Sequence, residues 1–214
     1  MSINDRPNVL MDQYEYLTVP GVDVRIPVVK RSDQEEHDTT GVRVPDWMVI
    51  IDGCTGESTL NKYEDYIELF GWYCESSRHV RGDSANNLRT SGTLWHSDVF
   101  LVMQNGVHNH QINTWINCGK ITTYITIVRL TRVNLDESPE DPSSVQVQTI
   151  QELMFATCHW VGMYAYLDWS IARLTACERV NRMHEFKQRE GVLGGNTLCH
   201  TSYAHNTVIP GGSS

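Results

Sequence analysis

The residues of this sequence best able to do chemistry are its cysteines and histidines. His108, His110, Cys118, Cys158, His159, Cys199, His200 and His205 could each bind zinc through sulfur or an imidazole nitrogen. Their spacings are irregular and no CxxC pair occurs, so zinc-finger spacing is absent. An adjacent pair such as Cys158 and His159 would point to opposite faces of a strand and would not share an ion. The sequence also has no GxSxG elbow, no phosphate-binding glycine loop and no GxGxxG after a strand. No catalytic residue, cofactor site or metal site is therefore assigned. A small β-rich metal-binding or enzymatic domain using the Cys/His set is retained as the alternative from another class.

The six cysteines, Cys54, Cys74, Cys118, Cys158, Cys177 and Cys199, leave two readings open. Free cysteines are small hydrophobes that core positions accept readily. Disulfides persist on secreted proteins and virion surfaces, so a particle assembled inside a cell and later released could oxidise them, within or between subunits. The Arg81-Gly82-Asp83 tripeptide is read as an exposed turn, and the six tryptophans as core and interface anchors.

These residues must be positioned by a fold that 214 residues can build as one domain of moderate size with an appended arm. The composition, 40% hydrophobic and 20% charged, is that of a folded protein. No apolar run reaches the roughly 20 residues a membrane helix needs. The first residues lack the pattern of a secretory signal, so folding in the cytosol is the expectation. A net charge of −9 with scattered basic residues does not suggest a nucleic-acid-binding surface. An acidic wall would let enclosed phosphates slide past.

Along the chain, Pro7, Pro20, Pro27 and Pro45 make residues 1–46 an extended arm. Within it, alternation at 22–29 predicts a strand, and Pro27 predicts an edge position for it. The acidic run at 32–38 reads as a solvated loop. Segments 47–51 and 66–73 predict strands, and the polar stretch 77–92 an exposed loop. Ile112, Trp115 and Ile116, with Gly119 as a stop, predict one short helix over 110–120. Residues 121–135 and 145–153 predict strands separated by a loop at 136–144. Periodicity over 154–189 fits a helix or a strand. The glycines after Glu190 predict a turn, and 207–214 a flexible end.

The order of these motifs resembles the haemolysin-coregulated protein (Hcp) and phage tail-tube family. WMVIIDGCTGESTLNKYEDYIELFGWY at 47–73 is similar to the family's opening strand, its Ile-Asp-Gly and Gly-Glu-Ser turn and its second strand. Ile51, Asp52, Gly53, Gly56, Glu57, Ser58, Ile67, Glu68 and Trp72 match that pattern. Asp98, followed by a helix ending in Cys118, Gly119 and Lys120, resembles the family's next block, and 179–206 its closing hairpin.

The resemblance spans 47–206 and implies a mainly β fold, an antiparallel β-barrel or tight β-sandwich with one short flanking helix. It resolves 154–189 as loop plus strand, and it implies hexameric rings stacked into a tube. The implied role is structural, not enzymatic. The chain would be the inner tail tube of a contractile injection machine, with itself, sheath and baseplate proteins as partners and DNA or effectors passing through without sequence-specific binding. The arm and the six cysteines favour a bacteriophage tail over a type VI secretion tube. The corresponding locations are the virion tail, assembled in the host cytoplasm, or the bacterial cytoplasm followed by secretion.

Overall fold

The computed structural model describes residues 14–29, 44–82, 89–134, 145–187, 192–202 and 207–210. The acidic run at 32–38 and the loop at 136–144 lie outside them. Twelve strands and one helix are described: β1 (Tyr14–Thr18), β2 (Arg25–Val29), β3 (Trp47–Ile51), β4 (Ile67–Tyr73), β5 (Ser76–Gly82), β6 (Arg89–His96), β7 (Val99–Gln104), α1 (Val107–Cys118), β8 (Ile121–Asn134), β9 (Val145–Ala165), β10 (Trp169–Lys187), β11 (Val192–Ser202) and β12 (Thr207–Pro210).

Every described strand pairing is antiparallel. β3 lies between β4 and β8, β8 pairs β9, β9 pairs β10, and β7 closes the circle by pairing both β10 and β4. The six strands β3, β4, β7, β8, β9 and β10 thus form a closed barrel, which leaves them no unpaired edge around the circle. Of the two architectures expected from the resemblance, the barrel is the one adopted.

Alternation along these strands builds the interior. Ile125 and Ile127 of β8, Leu153 and Phe155 of β9, and Leu101 and Met103 of β7 are all at most 2% exposed and belong to one cluster. Ile112 and Trp115 of α1 complete it. The helix begins at Val107, three residues before the expected start, and presents these two apolar residues at i and i+3 to the barrel.

Two further clusters lie on the outside of the barrel. The β1–β2 hairpin covers Phe100, Val102 and Ile171 with Val19, Ile26 and Val28. The segment between β3 and β4 folds Tyr63 over Met48, Val128 and Leu130. Tyr63 and Thr149 hydroxyls hydrogen-bond at 2.8 Å and hold that segment down.

Four expectations need correction. β2 is not an edge, because β1 pairs along its outer side and Val28 meets Gly71 of β4 on the other. A Cβ at Gly71 would lie 2.2 Å from the Pro27 carbonyl oxygen, so only glycine permits this approach. The stretch 77–92, expected to be a loop, contains most of β5 and the first half of β6, a hairpin of its own outside the large sheet. Its lack of large apolar residues does not preclude pairing, which needs only backbone groups.

The described residues 154–187 hold no helix. β9 and β10 run through them and meet at a turn over 166–168, so the loop implied by the resemblance shrinks to that turn. Gly194 and Gly195 do not make a turn either. They lie inside β11, where the pairing with β10 slips between His184 and Phe186, a bulge that glycine accommodates. The chain end contributes β12, paired with β11.

Candidate assembly surface

The family-like residues gather around the helix. Gly106 precedes α1 and supplies no side-chain cap, so the first backbone donors need an outside partner. Glu57 provides it: its Oε1 accepts a hydrogen bond from the Val107 N–H at 3.0 Å. A carboxylate here also faces the positive end of the helix dipole. Gln111 Nε2 donates to the Gly53 carbonyl at 2.5 Å, tying the middle of the helix to the same turn.

At the other end Gly119 adopts φ 66°, ψ 30°, the left-handed conformation that glycine favours. Its N–H donates to the Ile116 carbonyl and the Lys120 N–H to that of Trp115. The Lys120 ammonium then sits 4.4 Å from the centre of the Trp115 ring.

The turn that carries Glu57 is fixed by close backbone contact. Gly56 N–H donates to the Asp65 carbonyl and Ser58 N–H to that of Tyr66. A Cβ at Gly56 would lie 2.3 Å from the Tyr66 oxygen. Ile51 is buried in the core, and the backbone N–H of Asp52 donates to the Tyr124 carbonyl. Trp72 meets Trp47 edge-on at 5.3 Å, and the Arg129 guanidinium lies over Trp47.

Asp98 stands apart at the start of β7. Arg173 Nε and Nη2 both reach its Oδ2, at 2.6 and 2.5 Å, and the Thr175 hydroxyl donates to Oδ1 at 2.6 Å. This aspartate clamps β7 to β10 where the barrel closes.

A surface with exposed apolar residues lies elsewhere, on the outer side of β8, β9 and β10. Register places Tyr124, Ala156 and Glu178 in one row and Thr126, Met154 and Val180 in the next. Tyr124 is 39% and Met154 37% exposed. The two other outer apolar patches are covered by the chain's own hairpin and segment, but no described residue covers this one. Sequence reading did not pick it out. The available signal was the run Leu153-Met154-Phe155, where an apolar residue stands at a position that alternation would make polar.

Solved structures show the same architecture. A type six secretion system protein matches with a TM-score of 0.65 at 14% identity, over 78% of this chain and 100% of its own. Hcp1 from Salmonella typhimurium matches with a TM-score of 0.57 at 13% identity, over 77% of this chain and 98% of its own. Hcp1 from E. coli EAEC 042 matches with 0.53 at 9% identity, over 75% and 99%.

The chain has the Hcp fold.

No protein-family model and no curated protein matches the sequence.

Within this Hcp fold the cysteines are dispersed. Cys54, Cys74, Cys118, Cys158 and Cys177 are all free thiols, so none of these five is in a disulfide; the side chain of Cys199 lies outside the described residues. Burial pushes the Cys54 thiol up to about 11 and that of Cys158 up to about 12. Burial also raises Cys74, against the nearby Arg179 guanidinium. A protonated, buried thiol is neither a ready nucleophile nor a ready metal ligand. Cys158 faces the core and His159 the exterior, and among the described residues no three His, Cys, Asp or Glu side chains converge as a metal group.

Proposed function

We propose that the chain is a structural subunit of the inner tube of a contractile injection machine, forming hexameric rings that stack into a conduit for DNA or effectors. The observation that carries this reading is the fold match: the barrel with its flanking helix corresponds to two Hcp1 chains over 98–99% of their length and to a type six secretion system protein over 100%. A ring closes when one face of a subunit meets a different face of its neighbour. The uncovered Tyr124–Met154–Val180 face supplies one such surface. The outer edge of β1 and that of β12 supply backbone groups that a neighbour's strand could continue. The β5–β6 hairpin, separate from the large sheet, is assigned to contacts between rings.

The net charge of −9 suits a passage for phosphates or acidic cargo. The motif residues are read as architectural, and the function as assembly and not catalysis. Among the described residues no helix is long and apolar enough to cross a membrane. Sheath and baseplate proteins are the further partners. A phage tail remains the favoured machine because of residues 1–46 and the cysteines, with a type VI secretion tube as the second reading. The corresponding sites are the virion tail or the bacterial cytoplasm followed by secretion.

Sedimentation velocity over a range of concentrations tests the ring. A species of six times the 24.4 kDa chain mass, or larger multiples of it, supports the proposal. A monomer at every concentration contradicts it.

A further inference from the structure

Leu167, in the turn over 166–168 that joins β9 to β10, is 98% exposed. A lone exposed leucine is ordinary, but the turn under this one is firmly held. Asn105, just past the end of β7, donates from Nδ2 to the Tyr166 carbonyl at 2.8 Å and to the Leu167 carbonyl at 3.2 Å, and its backbone N–H donates to the Asp168 carbonyl at 3.1 Å. Asn109 of α1 donates in turn to Asn105 Oδ1 at 2.7 Å. The Tyr166 and Trp169 rings on either side of the tip stack at 3.9 Å. Val107, two residues beyond Asn105, is a second exposed aliphatic side chain. An apolar tip already fixed in place loses little freedom when something covers it, which favours its use in recognition.

The other end of β7 carries the complement. This six-residue strand starts just after β6 and ends just before Asn105, so it sets the β5–β6 hairpin and the Leu167 turn about 20 Å apart along the barrel wall. The hairpin exposes Trp95, 49% open to solvent. Its two strands contain Arg78, Arg81 and Arg89 and no carboxylate, whereas the Leu167 end presents Asp168 and Glu57 to solvent. One end is thus apolar and acidic, the other aromatic and basic. Within one subunit the barrel keeps these ends apart, but a second copy displaced end to end brings them together. A contact between two different faces of identical subunits repeats along one direction, and opposite charges at those faces steer the encounter and fix its register.

We propose that the Leu167 turn docks on the β5–β6 hairpin of a second copy stacked end to end, with Leu167 and Val107 against the Trp95 side and Asp168 and Glu57 drawn to the hairpin arginines. The docking rests on the tube reading and names its contact between rings. Such a contact repeats around each ring, so a small loss at every copy multiplies into a large loss of stacking.

The test compares the parent chain with Leu167→Asp and Trp95→Ala by sedimentation velocity and negative-stain electron microscopy over a range of concentrations. Leu167→Asp, at a fully open position, should unfold thermally as the parent does. Both variants should keep single rings and lose stacked tubes. With p-benzoylphenylalanine in place of Leu167, irradiation of the assembled tubes should link position 167 of one chain to the 76–96 hairpin of another, read by mass spectrometry of the linked peptides. Either variant stacking as readily as the parent, a parent that forms rings but never stacks them, or a link that falls within one chain or elsewhere on the neighbour would overturn the docking and leave the ring standing. A parent that forms no rings contradicts the tube reading itself, and the docking with it.

Discussion

The helix side of the barrel and the outer face of β8, β9 and β10 use the same strands in opposite ways. Around α1, polar groups and glycines are committed to local structure: Glu57 caps, Gln111 reaches Gly53, Gly119 stops the helix and Gly56 permits a backbone approach. On the outer face, Tyr124 and Met154 are left in solvent, and the ion pair of Arg182 and Glu152, at 3.3 Å, is exposed. The residues with the most recognisable spacing therefore make the fold. The face proposed to make the assembly carries no motif.

The sharpest way to break this contrast is to compare adjacent residues of β9. Phe155→Ala removes a ring from the core and should cost about 3–5 kcal/mol. Met154→Ala, one residue away, should stay within about 0.5 kcal/mol by urea unfolding of the dissociated subunit. A large loss at Met154 would mean that its outer face is part of the subunit's own core.

The barrel closure comes next. Asp98→Ala strips two strands of a charge-assisted junction and leaves Arg173 without its carboxylate, for an expected loss of about 2–3 kcal/mol. Glu57→Ala, which removes only the cap, should cost about 1 kcal/mol, and Gly119→Ala about 1–2 kcal/mol from the left-handed backbone it must adopt. Chemical denaturation separates these values. Equal effects of Asp98→Ala and Glu57→Ala would argue against assigning closure to the former.

The smallest effect is a pH dependence. Burial lowers the pKa of His108 and of His96 below the ordinary histidine value near 6.5. The unfolded chain then binds more protons in the window below that value, so stability is full above about pH 6.5 and falls as pH drops toward the folded pKa. His108→Asn should flatten part of this slope. An unchanged slope in that variant would assign the dependence to other groups.

Much of the barrel was legible because strands with one buried face advertise their period. Residues 47–51 are a short apolar run stopped at Gly53, Val145, Val147 and Thr149 alternate with glutamines, and the helix announced itself through Ile112, Trp115 and the Gly119 stop. β5 and β6 were not legible, since strands that pair only with each other need no apolar face to form their ladder. β9 and β10 blurred because β9 carries an apolar residue on its exposed face as well as on its buried one, which hides the alternation, as at Leu153-Met154-Phe155. The motif residues were found by resemblance, but their work was not: that Glu57 caps a helix fifty residues away is a fact of tertiary contact. The outer face stayed hidden because exposure is set by what the rest of the chain fails to cover.

Negative-stain electron microscopy of the purified protein beside a Met154→Arg variant with unchanged thermal unfolding tests the account most directly. The account predicts end-on rings and stacked tubes for the parent chain, and dispersed single subunits for the variant. A parent chain that remains single particles at every concentration, or a variant that forms tubes as readily as its parent, would contradict it.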